Sequence, residues 1–277
     1  MKIIIPMAGI GDRFLKKNYD QPKPLIYVNG KRIIEYILDI FDKKDEYVFI
    51  CNNYHLDNTN MRQILLDLVP NCKILSIPQH KNGPVYSVLS ALDIIDDNEE
   101  VLISYCDSPF IWNREQFFSF SLEHNLDGCL ITHTGFHPHT LESTKMAFVK
   151  ESKNYPLISE VQEKKSYTNS PQNEHASSGA YYFKLGSYVK KYFLKSIQEN
   201  IHYKNEYYIT LVYNLCIQDN LRIGYYDVPI VMMFGTPESV ENFESWIKIL
   251  HEDQCRNLDD VINCYNYWKQ YYENYIS

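Results

Sequence analysis

The sequence predicts an α/β fold in which helices cover both faces of a mostly parallel central sheet. Two observations lead to this prediction. Apolar runs of strand length alternate with segments of helical periodicity through residues 2–106. The composition, with 45% hydrophobic and 22% charged residues, is typical of a globular chain rather than of a disordered one. With 277 residues, the chain is long enough for one large α/β domain.

The amino-terminal half carries the alternation of strands and helices. Buried strands are predicted over 2–6, 47–51, 73–77 and 101–106. Helices are predicted over 31–41 and 56–69, and a third begins at Pro84 because proline is favoured at the first helical position. Strands that alternate with helices in this way are typical of parallel sheets.

Strands dominate the following segment. They are predicted over 128–134, 146–151, 157–163 and 178–183, followed by helices over 186–199 and 207–219. Another helix is predicted from Thr236 as N-cap and Pro237 as first helical residue. A last one is predicted over 258–275. Residues 1–245 are therefore expected to form one domain.

Residues 246–277 are expected to form a helical extension, packed on the same domain or on a dimer partner. This extension is rich in tyrosine and tryptophan. Large aromatic rings are enriched at protein interfaces, so a homodimer is one expectation for the assembly.

Charge and cysteine content exclude several classes of protein. The net charge of −8 disfavours a nucleic-acid binder, which usually carries a basic balance. The seven cysteines are scattered, with no C-x-x-C pair, so neither a disulfide framework nor a structural zinc site is expected. No signal peptide and no membrane span of about 20 apolar residues is recognised. A cytoplasmic protein without a membrane partner is expected.

The turn after the first strand points to an anionic ligand. Gly9 and Gly11 stand in "MAGIGDRF", but Phe14 occupies the third glycine position of a dinucleotide fingerprint, and no G-K-[S/T] of a Walker loop follows. Residues 10–32 hold six lysines and arginines against two aspartates. Glycines allow backbone N–H groups to converge on an anion. A plain strand-end turn is the alternative.

Two of these cations have side chains suited to a polyphosphate. Arg13 offers a planar fork that matches phosphate oxygens. Lys23 stands between two prolines in "QPKPLI", which fix the backbone on both sides of it. Lys16 and Lys17 are expected to be solvated. The sequence therefore predicts that Arg13 and Lys23 bind a polyphosphate.

"MAGIGDRF" and "PKPL" together resemble the signature of sugar nucleotidyltransferases, roughly G-x-G-x-R followed about ten residues later by P-K-P-L. The opening segment is similar to the capsule-biosynthesis branch, which includes CTP:phosphoglutamine cytidylyltransferase. The resemblance extends in patches from residue 2 to about 245. It implies a Rossmann-like, GT-A-type fold with a mixed, mostly parallel sheet. It also implies that Ala8, Gly9 and Gly11 contact the nucleotide.

Further residues are carried over from this resemblance one at a time. "QHKNGPVYSVLSAL" resembles the base-recognition segment, which implies that Gln79 and Gly83 meet the nucleobase. "VLISYCDSPF" resembles the strand that delivers a metal-binding aspartate, here Asp107, which would hold Mg²⁺. A plain loop and a turn-forming aspartate are the alternatives at these positions.

The acceptor end of the site is implied in the same way. "EVQEKKSY" resembles the family's E-K pair, which puts Glu163 on the acceptor's polar groups and Lys164 on its phosphate, and Gly179 allows the acceptor to approach. An ordinary charged strand is the alternative. The chain departs from the family at Met233, where a second metal-binding aspartate often stands. Asp227 is the substitute considered for that ligand.

The resemblance implies a magnesium-dependent nucleotidyltransferase. An oxygen of a phosphorylated small molecule would attack the α-phosphorus of a nucleoside triphosphate, with CTP favoured, and release pyrophosphate for surface polysaccharide or capsule precursor synthesis. A sugar phosphate, a phosphorylated amino acid and a phosphorylated polyol all remain as acceptors. The alternatives are a metal-dependent GT-A glycosyltransferase, which usually needs D-x-D where this chain has "CDSP", and a nucleotide-binding protein without catalysis.

Overall fold

The computed structural model describes residues 1–135, 137 and 146–250. Along this part of the chain the strands are β1 (Lys2–Met7), β2 (Tyr27–Val28), β3 (Lys31–Arg32), β4 (Glu46–Asn52), β5 (Lys73–Ile77), β6 (Val101–Ser104), β7 (Phe110–Ile111), β8 (Gly128–His133), β9 (Ala147–Glu151), β10 (Ile158–Glu163), β11 (Ala176–Phe183), β12 (Ile223–Asp227) and β13 (Ile230–Val231). The α-helices are α1 (Asp12–Leu15), α2 (Ile33–Leu38), α3 (Asn53–Asn58), α4 (Met61–Leu68), α5 (Pro84–Val88), α6 (Arg114–Glu123), α7 (Gly186–Gln198), α8 (Ile209–Gln218) and α9 (Pro237–Leu250).

Nine of the described strands form one mixed sheet. Strands β5, β4, β1 and β6 lie side by side and run parallel, and β11 pairs antiparallel with β6. Beyond β11, strand β8 pairs antiparallel with it and parallel with β12, while β9 and β10 form an antiparallel pair that begins beside Ala176. The predicted fold class, a mixed and mostly parallel sheet with flanking helices, is confirmed.

Two hydrophobic cores cover the two faces of this sheet. Ile3 and Ile5 of β1 point to one face, where they pack with residues of α2, α4 and α6. Ile4 points to the other face and packs with residues of α5, α7 and α8. All three isoleucines are fully buried, as expected for a central parallel strand with helices on both sides. β1 therefore stands at the centre of the domain.

Several predicted helices are shorter than the periodicity indicated. Helix α2 begins at Ile33 rather than at Lys31, because Asn29 and Gly30, both with positive φ, form a two-residue turn between β2 and β3. The predicted helix over 56–69 is divided at Thr59, which has extended backbone and accepts a hydrogen bond from Met61 N at 3.2 Å. Local turn chemistry therefore overrides periodicity at both places.

Helix α6 is an element that the sequence analysis does not predict. Its apolar side chains are distributed around the helix instead of along one face, so the periodicity signal is weak. Its start is marked by Asn113, whose side-chain oxygen accepts a hydrogen bond from Gln116 N at 3.0 Å. Phe117 then anchors the helix in the core. The N-cap was therefore the signal available in the sequence.

Helix α9 begins as predicted. Thr236 Oγ1 accepts a hydrogen bond from Ser239 N at 3.1 Å, and Pro237 is the first helical residue. Val240 is buried, and the ring of Phe243 packs edge-on against Phe234 with 5.0 Å between centroids. The predicted helix over 258–275 lies outside the described residues, and the division of the chain at 245 stays a prediction.

A membrane-spanning helix is not found among the residues that the structure describes, since none of their helices is both long enough and apolar enough.

A bulge in β11 displaces the backbone at Gly179. Ser177 pairs with Thr132 whereas Ala180 pairs with Ile131, so two additional residues stand on the β11 side. One of them is Gly179, whose φ of +78° belongs to the region that favours glycine. The bulge brings this backbone against the segment that follows β6. A Cβ atom at Gly179 would lie 3.0 Å from Ser108 Cβ.

Candidate active site

A cavity of about 520 Å³ opens at the carboxyl ends of β1 and β6. This volume lies within the range of roughly 300–1,000 Å³ that small-molecule sites occupy. The cavity is lined by ten of the residues that the sequence analysis selected: Ala8, Gly9, Gly11, Arg13, Lys23, Gly83, Asp107, Glu163, Lys164 and Gly179. Gln79 and Asp227 are not among its lining residues.

The ammonium of Lys23 contacts the carboxylate of Asp107 in this cavity. Nζ lies 2.6 Å from Oδ2, although the two residues are 84 positions apart. Ser108 Oγ donates a further hydrogen bond to Asp107 Oδ1 at 3.2 Å. Two residues selected independently, one from a proline-flanked motif and the other from a strand end, therefore form one ion pair.

Both partners of the pair are charged at neutral pH. Burial opposes the charge on Lys23, but the carboxylate of Asp107 outweighs it and raises the pKa of Lys23 well above its ordinary range. Burial likewise opposes the charge on Asp107, but Lys23 holds the pKa of Asp107 below its ordinary value of 3.8. The cavity therefore contains a fixed positive and a fixed negative charge in contact.

The backbone around Lys23 is fixed by packing as well as by proline. Residues Lys23–Leu25 form a single 3₁₀ turn, in which Leu25 N donates to Pro22 O at 2.8 Å. Leu25 is buried in the core beneath β1, and Pro24 is also buried. The lysine therefore leaves a rigid turn, and its ammonium has a defined position.

The glycine turn places Arg13 across the cavity mouth. Gly11 has a φ of +77° and ends the turn at the start of α1, which Phe14 anchors in the core. The exposed Arg13 donates from Nη1 to Gly235 O at 3.4 Å. The charge of Asp12 on the same helix is compensated by Lys81 at 2.6 Å.

Asn52, at the end of β4, holds this glycine turn. Its buried Nδ2 donates to Ala8 O at 3.3 Å and to Gly9 O at 3.2 Å, and its Oδ1 accepts from His55 N at 2.8 Å. The sequence analysis missed this residue. The available signal was an asparagine at the end of a strand that neighbours β1, where the side chain can reach the first turn.

We expect Asn52→Leu to lower the free energy of unfolding by about 2 kcal/mol, because a helix cap and the hydrogen bonds to the carbonyls of Ala8 and Gly9 are lost together. The KM for the nucleotide should rise in the same variant, since the turn loses its anchor. Urea unfolding and steady-state kinetics measure the two effects. Asn53→Ala is the matched control, because Asn53 is exposed and its side chain accepts from the adjacent Tyr54 N. Equal stability of the two variants would contradict the role of Asn52.

Met233 lines the cavity at the position considered for a second metal-binding aspartate. The same segment contacts Asp107, because Phe234 N donates to Asp107 O at 2.8 Å, and a Cβ at Gly235 would lie 3.2 Å from Asp107 Oδ2. The segment that adjoins Asp107 therefore carries a thioether, and not a carboxylate, at residue 233.

Asp227 ends β12 and is engaged elsewhere. It accepts from Thr132 Oγ1 at 2.7 Å and pairs with His175 Nδ1 at 2.8 Å. Strands β11 and β8 lie between β6 and β12. At a strand spacing of about 4.8 Å, that order puts about 14 Å between the two strand ends. The structure therefore does not bring Asp227 together with Asp107, and it gives Asp227 a role in joining β8, β11 and β12.

The residues present fit a single Mg²⁺ ion bound with substrate. Magnesium is commonly held by one or two carboxylates together with the phosphates of the substrate. Asp107 offers one ionised carboxylate at the cavity wall. Within the described ranges, no cluster of three or more His, Cys, Asp and Glu side chains is arranged around a metal position.

Glu163, the last residue of β10, and Lys164, which follows it, also line the cavity. Glu163 is buried and accepts from Thr210 Oγ1 at 2.6 Å, and its burial raises its pKa. Lys164 contacts the hydroxyl of Tyr208, and its ammonium lies 4.3 Å from the centre of that ring. The predicted pair is therefore present in the cavity with partners of its own.

The predicted base-recognition segment lines the cavity with Gly83 but not with Gln79. Gln79 is exposed, and the next residue, His80, lines the cavity instead. Gly83 has a φ of +89°, which favours glycine. Packing also requires glycine at this position, because a Cβ atom there would lie 2.6 Å from Tyr207 N. Periodicity cannot tell which of two consecutive loop residues faces inward.

Comparison with known proteins finds similarity to nucleotidyltransferases. Residues 3–138 match the family model of the MobA-like NTP transferase domain. The chain is 24% identical over 217 residues to bifunctional protein GlmU of Thermosipho africanus, covering 76% of this chain and 42% of that protein. It is 23% identical over 265 residues to GlmU of Alkaliphilus metalliredigens, covering 95% of this chain and 52% of that protein. The chain thus spans about half the length of these curated relatives.

Solved structures share the fold. A nucleoside-diphosphate-sugar pyrophosphorylase from Vibrio cholerae RC9 superposes with a TM-score of 0.69 and 22% identity, covering 88% of this chain and 99% of that chain. The inositol-1-phosphate CTP transferase from T. maritima gives a TM-score of 0.64 and 15% identity, covering 89% and 96%. The resemblance is thus confirmed at the level of the fold and of an NTP transferase domain, while the capsule branch stays a prediction.

Proposed function

Because residues 3–138 match the MobA-like NTP transferase domain, we propose that this protein is a nucleotidyltransferase. It transfers a nucleoside monophosphate from a nucleoside triphosphate to a phosphorylated small molecule and releases pyrophosphate. The observation that carries this proposal is the contact between Lys23 and Asp107, inside a cavity that Arg13 and the glycine turn also line. These are the charges that two phosphate compounds need at their meeting point.

The chemistry of the reaction explains why charge matters more than a base. The second pKa of a phosphomonoester is near 6, so the nucleophile is largely dianionic at pH 7 and needs no general base. Two unit negative charges at 4 Å repel each other by about 4 kcal/mol at an effective dielectric constant of 20. Since each substrate carries several charges, cations must offset the repulsion before the reacting atoms meet.

The triphosphate binds at the glycine turn. Arg13 and the backbone N–H groups of Gly9–Gly11 hold the β- and γ-phosphates, which leave as pyrophosphate, with Ala8 in the wall of the same subsite. Lys23 bridges the α-phosphate and the attacking phosphate. Preorganised donors of this kind account for most of the catalysis in phosphoryl-type transfers.

The acceptor binds at the other end of the cavity. Lys164 steadies the acceptor's phosphate, and Glu163 binds its polar groups from a buried position. Gly179 leaves room for the acceptor beside Ser108, where a side chain would fill the space.

Asp107 is the residue that would hold Mg²⁺. When bound, the ion supplies positive charge and polarises the phosphoryl group under attack. The ammonium of Lys23 keeps Asp107 ionised, which is the state that a metal ligand requires. The same ammonium limits the mobility of the carboxylate, so that Asp107 stays directed into the cavity.

We favour CTP as the nucleotide, in a pathway for surface polysaccharide or capsule precursors. The opening segment resembles the capsule branch, and one structural neighbour is an inositol-1-phosphate CTP transferase. A sugar phosphate, a phosphorylated amino acid or a phosphorylated polyol is the acceptor.

A matrix of ATP, CTP, GTP, UTP and dTTP against phosphorylated acceptors, with and without Mg²⁺, tests the proposal. Pyrophosphate should be released only when a nucleotide and a suitable acceptor are both present, and the nucleotide's α-phosphorus should be joined to the acceptor's phosphate. A glycosyltransferase would instead release a nucleoside diphosphate from a nucleotide sugar. Tight nucleotide binding without turnover across the whole panel would contradict the proposal.

A further inference from the structure

We propose that Ser87 is a residue that selects the nucleobase, and that His80 positions its hydroxyl as a hydrogen-bond donor. The inference rests on the proposed function, since it concerns the nucleotide bound in the same cavity. Both residues line that cavity. His80 lies in the loop after β5, and Ser87 lies in α5.

The protonation state of His80 follows from its neighbours. The backbone N–H of Asn82 donates to His80 Nδ1 at 3.2 Å. A backbone amide can only donate, so Nδ1 is unprotonated and the proton of the neutral ring is on Nε2. His80 Nε2 lies 2.9 Å from Ser87 Oγ. The ring therefore donates to the serine oxygen.

The serine hydroxyl keeps its own proton for another partner. Because Oγ accepts from His80, the O–H of Ser87 points away from the ring. Among the residues that the structure describes, no second hydrogen-bond partner of Ser87 Oγ is found. The residue is only 3% exposed, so a buried donor at the cavity wall lacks an acceptor. Such a donor is costly unless a ligand satisfies it.

The charges of the cavity indicate which part of the nucleotide reaches this donor. Burial lowers the pKa of His80 below its ordinary value of 6.5, so the ring is neutral at pH 7. The nearby Lys81 is paired with Asp12 at 2.6 Å. Phosphates are bound best where cations line the cavity, near Arg13 and Lys23. Lys81 and Asp12 also line the cavity and compensate each other's charge, so a wall without net charge and with one donor suits a heteroaromatic base.

A fixed donor discriminates between base edges. A free serine hydroxyl can donate or accept and therefore tolerates both kinds of partner. The hydrogen bond from His80 uses one of the two lone pairs of Oγ and leaves the O–H proton without a partner. A carbonyl oxygen or an unprotonated ring nitrogen of the base would accept this proton, whereas an exocyclic amino group at the same place would leave it unsatisfied. The pair thus favours a base that presents an acceptor.

Isothermal titration calorimetry with ATP, CTP, GTP, UTP and dTTP, without acceptor, identifies the nucleotide that the wild-type chain binds most tightly. That nucleotide is then the probe, with inorganic tripolyphosphate as the ligand that lacks a base. We expect Ser87→Ala to weaken binding of the nucleotide about tenfold, as the loss of one hydrogen bond in a buried site predicts. Binding of tripolyphosphate should not change.

Ser90→Ala is the matched control. Ser90 is exposed, does not line the cavity, and donates to Ser87 O at 2.7 Å, so its loss should leave both affinities unchanged. His80→Phe tests the positioning role, because it removes the donor that orients Ser87. His80→Phe should weaken nucleotide binding about as much as Ser87→Ala does. The double variant should bind the nucleotide no more weakly than either single variant.

Three outcomes would overturn the inference. They are an unchanged nucleotide affinity in Ser87→Ala, an equal loss of affinity for tripolyphosphate in that variant, and additive losses of nucleotide affinity in the double variant. Each of them leaves the proposed function standing, because binding is measured without turnover. Conversely, intact binding with no pyrophosphate release overturns the proposed function alone. Failure of the wild-type chain to bind any of the five nucleotides would overturn both.

Discussion

Lys23→Ala should lower kcat at least about a hundredfold, the range observed when one preorganised charge donor is removed from an active site. The ammonium of Lys23 is fixed by a buried turn and lies 2.6 Å from Asp107. Without it, the attacking phosphate and the α-phosphate lose the one cation that we assign to both. The measurement is the rate of pyrophosphate release at saturating nucleotide and acceptor.

Alanine also leaves the carboxylate of Asp107 without its charged partner, so a second variant separates catalysis from folding. Lys23→Gln keeps a neutral donor near Asp107 and should show the same loss of kcat with a native thermal unfolding curve. Lys17→Ala is the matched control, because Lys17 is exposed and pairs with Glu238 at 3.5 Å on the surface. Normal turnover of Lys23→Gln would remove Lys23 from the mechanism.

Asp107→Asn is expected to produce a loss of similar size, at least about a hundredfold in kcat. The amide keeps the shape of the side chain but removes the negative charge that we assign to Mg²⁺ binding. The buried ammonium of Lys23 then lacks its counter-charge. The concentration of Mg²⁺ that gives half-maximal rate should rise in this variant. Steady-state rates over a series of Mg²⁺ concentrations measure both effects.

Asp227→Asn is the control that distinguishes the two aspartates. Asp227 pairs with His175 and does not line the cavity, so this variant should retain its kcat and its dependence on Mg²⁺ within a few-fold. Its thermal stability should fall instead, because the link between β8, β11 and β12 is weakened. A shared increase in the Mg²⁺ requirement of both variants would make Asp227 a metal ligand after all.

The sequence predicts the fold well where one local pattern decides the structure. Central parallel strands are buried on both faces and therefore appear as continuous apolar runs, as in β1 and β4. The glycine turn and the proline-flanked lysine are also local patterns. Their convergence on Asp107 follows from strand order, because β1 and β6 are neighbours whose carboxyl ends share one edge of the sheet.

The remaining site residues depend on distances that one sequence does not encode. Asp227 stands at a strand end, as a ligand would, but its strand is separated from β6 by β11 and β8. Asn52 acts through the packing of β4 beside β1, which the chain reveals only once the sheet is assembled. Gln79 is exposed, whereas the next residue, His80, lines the cavity. A loop without periodicity does not indicate which of the two faces inward.

A crystal structure with bound nucleoside triphosphate and Mg²⁺ tests the central claim most directly, namely that Arg13 and Lys23 bind the phosphates of the nucleotide. Phosphate oxygens should lie at hydrogen-bond distance, about 2.7–3.2 Å, from the guanidinium of Arg13 and from the ammonium of Lys23. A triphosphate chain bound away from both side chains would contradict the claim.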